Sequence, residues 1–190
     1  MVRWQPGTRA RLQAVALQLF AEQGYDRTTV AEIAAAAEVT ERTFFRHFAD
    51  KPEVLFAGQD GFLAMFVDPI TAAPEGTAPF DLIRLALDAS ADFFPEDRRA
   101  WSRARQQVID ANAALGEREL GKLATLKARL GEVLRERGVP EPVATMAAEA
   151  AVTVFHLSFA QWIAPGEDRP FAAIAHERLD ALTRLVRPAR

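Results

Sequence analysis

A chain of 190 residues, 49% apolar and 26% charged, carries enough apolar material for a core and is neither low-complexity nor disordered in composition. The absence of cysteine excludes a disulfide framework, a thiolate metal site and a cysteine nucleophile. A net charge of −3 argues against nonspecific nucleic-acid binding over the whole surface.

Alanine and leucine abound, tyrosine occurs once, and few stretches alternate as strands do, so the expected fold is all-α. The start, MVRWQPGTRARLQ, is cationic but has no uninterrupted apolar run behind it, so no secretory signal is expected. The apolar stretch from Ala147 to Phe155 is broken by Glu149 and followed by His156. It is expected to be too short and too polar to span a bilayer. The expectation is a cytoplasmic protein with no membrane partner.

Leu12, Val15, Ala16, Leu19 and Phe20 recur at helical spacing, and Gly24 is placed to stop that first helix. Thr29-Val-Ala-Glu32 has the spacing of a capping box and opens a second helix over 29–37, with Val30, Ile33, Ala34 and Ala37 inward. A third helix starts near Thr40. A fourth, from Asp50 to about Val67, has Pro52 in its first turn. The stretch DPITAAPEGTAP, 68–79, reads as a loop. Helices are then expected over 80–94, 96–112, 117–137, 141–163 and 170–186, about nine in all.

The third helix divides by face. At 100° per residue Phe44 and Phe48 fall together and can bury against Ile33 and Leu19, while Arg42, Thr43, Arg46 and His47 lie opposite and Phe45 sits at the boundary. Two short helices joined by about three residues, the second carrying long donors outward, form a helix-turn-helix. The first 57 residues hold seven cationic side chains, from Arg3 to Lys51, and seven acidic ones, so any basic patch comes from arrangement. A solvated face with Glu41 as partner is the competing reading of Arg42 and Arg46.

The segment TTVAEIAAAAEVTERTFFRHFADKPEVLF resembles the N-terminal domain of the tetracycline-repressor (TetR) family of bacterial transcriptional regulators. The likeness runs from Thr8 to Phe56 through TTVAEIA, then V-T-x-x-T-x-F-x-x-F, then D-K-x-x-V-L. It implies that Thr28, Thr29, Thr40, Glu41, Arg42, Thr43, Phe45, Arg46, His47 and Lys51 meet an inverted-repeat operator in double-stranded DNA. It also implies two domains: residues 1–50 as the helix-turn-helix, and 51–190 as a helical part that binds an effector and dimerises. Two positions depart from the family. Glu38 stands where most members have glycine, and Phe45 where many have a phosphate-binding tyrosine.

In the C-terminal part, Trp101, Arg105, Val108 and Asn112 form one stripe that continues from Phe94. Arg105 either pairs with an internal carboxylate or faces an effector pocket beside Trp101. Phe62, Phe66, Phe94, Trp101, Arg105, Val108, His156 and Phe159 are the candidate pocket residues. On the 141–163 helix Thr145, Glu149, Thr153 and His156 make a thin polar line, read as a solvent edge or, alternatively, as a pocket lining. The rest is apolar, as a helix packed between its own core and a second subunit requires. Ala147, Ala150, Ala151, Val154 and Phe155, with Ile174 and Leu182 on the last helix, are therefore the candidate homodimer interface. The segment 117–138 resembles the C-terminal domains of actinobacterial regulators of the mycofactocin-regulator branch, which implies an acyl or acyl-CoA-like effector.

An enzyme is not expected. The histidines, His47, His156 and His176, lack metal-site spacing, and the Ser-elbow, phosphate-loop and dinucleotide motifs are absent. No cofactor or metal is implied. The expectation is a ligand-responsive homodimeric repressor, with the fourth helix as the lever between its two parts. A helical dimeric adaptor or ligand-binding protein without DNA binding is the alternative.

Overall fold

The computed structural model describes residues 7–186; Arg3, among the cations counted above, lies outside them. Every regular element among the described residues is helical. The elements are α1 Thr8–Gln23, α2 Val30–Ala36, α3 Glu41–His47, α4 Glu53–Phe56, α5 Gln59–Ala72, α6 Pro79–Ala91, α7 Glu96–Asp110, α8 Ala113–Glu136, α9 Val143–Trp162 and α10 Phe171–Val186.

The expected fourth helix is interrupted. It becomes the single turn α4 and the separate α5, because Ala57 is extended and Gly58 takes a φ of 99° that helix geometry forbids. The helix then runs on to Ala72 with Pro69 inside it, so the expected loop starts later than composition suggests. Helix α8 begins four residues before its expected start at 117, at Ala113.

Two compact units form. One comprises Met1–Gly58 with Ala104–Glu119, the other Gln59–Arg103 with Leu120–Arg190. Helices α7 and α8 therefore each give residues to both.

In the first unit, α1 buries Leu12, Ala16, Leu17 and Phe20. Thr29 caps α2 by a complete capping box: Glu32 N–H donates to its hydroxyl at 3.2 Å, and its own N–H donates to the Glu32 carboxylate at 2.7 Å. That bond, and then the one from the Thr29 hydroxyl, hold the Glu32 carboxyl below its ordinary pKa. Helix α2 ends in a Schellman turn, with Glu38 N–H donating to Ala35 C=O at 3.0 Å and Val39 N–H to Ala34 C=O at 2.9 Å. The turn places Glu38 at φ 54°, the left-handed region where an L side chain crowds the backbone.

The second unit has one apolar core built from α5, α6, α8, α9 and α10, including Phe66, Leu82, Leu130, Ala151, Phe155, Trp162 and Ile174. Arg99 stitches its loops. All five of its N–H groups are used, by the Glu96 carboxylate and by the carbonyls of Trp162, Glu167 and Arg169. Arg103 caps the end of α9 through the carbonyls of Ile163 and Ala164.

Helix α9 corrects one expectation. It is 20 residues long and apolar enough by length and composition to cross a bilayer. Within its unit it is a core helix, burying Ala144, Ala147, Ala148, Ala151, Val154, Phe155, Ser158 and Trp162, while Glu149 pairs with Lys127 at 2.9 Å.

Replacing Glu38 by glycine removes the Cβ strain at a position that is exposed and whose side chain fills no core. Glu38→Gly should raise stability by about 0.5–1 kcal/mol, net of the extra freedom glycine has when unfolded. Chemical denaturation of the two proteins measures this, and a less stable variant contradicts it.

Candidate nucleic-acid interface

Helix α3 has 7 residues, too few to hold itself together in water, so its orientation comes from what it buries and how it is capped. Phe44 is 0% and Phe48 2% exposed, their rings 5.3 Å apart, and Ile33 and Ala37 of the preceding helix and its cap are buried too. Thr40 caps the helix by accepting from Thr43 N–H at 3.2 Å, and the two hydroxyls share a 3.1 Å bond. With Phe44 and Phe48 inward, Glu41, Arg42, Phe45 and Arg46 stand exposed on the other side. Phe45 is 52% exposed, an aromatic ring on a charged face with no core to fill.

The other expected contact residues are placed differently. His47 is half-buried, because it follows Phe44 by three positions and shares its face; its Nε2 is enclosed without a hydrogen-bond partner among the described residues. Thr28 is buried at 1% exposure. Its hydroxyl donates to Gly24 C=O at 2.9 Å and accepts from Gln23 Nε2 at 3.2 Å, so its side chain ties α1 to the start of α2 and is not presented outward. Lys51 donates to the carbonyls of Tyr25 and Thr28 at 2.8 and 2.9 Å and lies 4.1 Å above the Tyr25 ring. Burial first, and the Asp50 charge second, push the Tyr25 phenol up to about 12. Thr29 and Thr40 are exposed at the two helix starts.

A set of residues of which periodicity singled out Arg105 alone supports this motif from behind. Arg118 on α8 donates to Asp50 at 2.9 Å and to Glu53 at 2.7 Å, clasping the α4 turn. Burial lowers its pKa, but the bonds to the two carboxylates outweigh that and leave it raised. Arg105 donates to Leu55 C=O at 2.8 Å and to Glu119 at 2.9 Å, its guanidinium 4.9 Å over the Phe56 ring. Burial lowers its pKa against the pull of Glu119. Arg11 adds a bond to Ala37 C=O at 3.0 Å, just before the turn.

The candidate pocket residues separate. Arg105 takes the internal-carboxylate reading and lies with Val108 in the first unit. There Val108 lines a surface cleft of about 300 Å³ with Phe20, Tyr25, Asp26 and Asn112. Phe62, Phe66, Phe94 and Phe159 do come together in the second unit, in an aromatic cluster with Phe93, Phe155, Trp162 and Phe171. Trp101 is half-buried under the Arg98 guanidinium, 5.8 Å from its ring. His156 is exposed with the rest of its polar line, at the solvent edge of α9.

Of the expected dimer residues, Ala147, Ala151, Val154, Phe155 and Ile174 are buried in the core of their own unit, and Ala150 and Leu182 are half-buried. The apolar residues that α9 leaves exposed are Val143, Met146 and Leu157, at 42%, 67% and 52%. At 100° per residue they sit about a quarter turn from the expected set. Among the described residues no group of three or more His, Asp or Glu side chains could hold a metal ion.

Residues 12–57 match the family described as bacterial regulatory proteins, tetR family. The HTH-type transcriptional regulator TcmR of Streptomyces glaucescens is 43% identical over 82 residues, 43% of this chain and 36% of that protein, so the likeness spans about a third of the relative's length. Among solved structures, Thermus thermophilus FadR, a TetR family repressor in complex with lauroyl-CoA, is 22% identical with a TM-score of 0.56, covering 96% of each chain. The ketosteroid transcriptional regulator KstR2 of Mycobacterium tuberculosis is 19% identical with a TM-score of 0.57, covering 100% of each. Residues 12–57 of this chain thus match the model of the bacterial regulatory proteins of the tetR family, and the whole chain has the fold of the Thermus FadR and of KstR2.

Proposed function

We propose that the protein is a cytoplasmic, DNA-binding transcriptional regulator, a homodimeric repressor released by a small-molecule effector, and not an enzyme. One observation carries the reading: α3 buries Phe44, the residue that ends it, Phe48, is buried as well, and Arg42, Phe45 and Arg46 are turned outward together. In a major groove the two guanidiniums suit guanine edges or phosphates, and Phe45 suits a thymine methyl or the sugar face. Phenylalanine has no hydroxyl to give a phosphate, so Arg42 and Arg46 carry the polar contacts. Thr29, Thr40, Glu41 and Thr43 stand around them at the helix starts. Thr28, His47 and Lys51 act as supports that fix the motif's shape.

A second copy of the chain fits the stripe Val143, Met146, Ala150, Thr153, Leu157 and Ala160, exposed except at the half-buried Ala150, which repeats along one side of α9. An effector held in the second unit shifts the protein toward a form that no longer fits its operator, to the extent that it binds that form more tightly. The break at Gly58 disfavours a rigid fourth-helix lever. Helices α7 and α8, each continuous and each sharing residues with both units, take that role. The relatives differ in effector class: lauroyl-CoA is bound by the Thermus protein, and the Mycobacterium protein is a ketosteroid regulator, so both acyl and ring-built compounds are represented among them.

The DNA reading is tested with DNA from upstream of the protein's own gene. Arg42→Ala with Arg46→Ala should weaken binding on the order of a hundredfold and reduce the slope of log affinity against log salt by about 2. Unchanged affinity and slope would favour the adaptor reading. Separately, Met146→Asp with Leu157→Asp should yield monomers in sedimentation, since two carboxylates then face the twofold axis. A variant that stays dimeric moves the interface elsewhere.

A further inference from the structure

The aromatic cluster of the second unit contains a donor that its own fold does not use. Trp162 is 0% exposed, with its ring 5.6 Å from Phe94, 6.1 Å from Phe159 and 6.2 Å from Phe171. Its main-chain carbonyl is fixed by Arg99 at 3.0 Å, yet its indole N–H meets no acceptor among the described residues. A buried N–H without a partner disfavours the folded state. The cations beside it offer nothing to an anion: Arg99, its guanidinium 5.1 Å from the centre of the Trp162 ring, spends every N–H, and Arg103 is bonded to the end of α9. The aromatic neighbours meet it and one another by faces and edges. Phe94 stacks on Phe171 at 4.9 Å, and Phe155 meets Phe66 edge-on at 5.2 Å. Phe159, half-buried, is the neighbour of Trp162 that reaches the surface.

We propose that this cluster binds an uncharged, rigid, ring-built molecule bearing an oxygen acceptor, with the Trp162 indole N–H donating to that oxygen and Phe159 swinging aside to admit it. The proposal rests on the second unit being the effector-binding part. Flat rings gain face and edge contacts from phenylalanines, and they lose no rotamer freedom on entry. A flexible saturated chain gains neither and must be ordered as it binds. Desolvating a neutral carbonyl or ether oxygen is offset by the waiting N–H. A carboxylate at the same depth meets no free guanidinium.

Three uncharged probes separate the elements of this proposal: fluorenone, fluorene, which has a methylene in place of the carbonyl, and a straight-chain methyl ketone of the same carbon count. Affinities are read by calorimetry on the full chain, with operator binding measured on the same preparations. Wild-type protein should bind fluorenone about tenfold more tightly than either other probe. In Trp162→Phe the preference for fluorenone over fluorene should fall to about one. Equal affinity of wild type for fluorenone and fluorene overturns the donor role, even if the variant does not fold. An undiminished preference in a folded Trp162→Phe protein overturns it as well. Tighter binding of the straight-chain ketone overturns the ring class but leaves an effector-binding unit. Binding of none of the three overturns the site, and the regulator reading fails only if operator binding is also absent.

Discussion

The rotation of one short helix about its own axis decides which side chains the first unit turns outward. Helix α3 has 7 residues and is fixed by two phenylalanines, Phe44 and Phe48, each almost wholly buried. Burial of each is worth about 1.5–3 kcal/mol, far more than any propensity term along so short a helix. Once those rings face inward, the positions of Arg42, Phe45 and Arg46 follow from helical geometry. The Thr40 cap and the Schellman turn at Glu38 set where the helix begins, so that the outward face starts at the right residue.

Behind this face lies a layer of cations that never reaches it. Lys51 holds the carbonyls of Tyr25 and Thr28, Arg11 holds that of Ala37, and Arg118 holds Asp50 and Glu53. These are charge-assisted bonds to groups that would otherwise be short of partners, and they fix loops that have few apolar side chains of their own. The same economy appears in the second unit, where Arg99 and Arg103 collect the carbonyls after α9. Among the described residues, Lys51, Arg11, Arg99 and Arg103 therefore organise main chain, while Arg42 and Arg46 stand exposed on α3.

The local features were legible in the sequence because their causes are local. The capping box at Thr29, the cap at Thr40 and the apolar seam of α3 each depend on residues within one or two turns. Side-chain destinations that depend on distant partners were not legible. Nothing near Thr28 in sequence says that its hydroxyl turns toward Gly24, and Lys51 reads as a surface cation until Tyr25 and Thr28 are seen beneath it. Periodicity also fails on α9. A helix apolar around most of its circumference has two candidate faces, and spacing cannot say which one its own core takes. The core takes the side of Ala147, Ala151 and Phe155, leaving Met146 and Leu157 outside. The aromatic cluster was half legible: four of its rings were expected to meet, while Arg105 and Val108, drawn in by the same stripe, pack in the other unit.

The central claim is that this outward face of α3, in a twofold-related pair, reads DNA. Footprinting of the protein on the sequence upstream of its own gene tests it most directly. The account predicts two protected half-sites of an inverted repeat, centred about one helical turn or a multiple of it apart, with contacts confined to the major groove of each. Uniform protection without half-sites, or none at low salt, would contradict it.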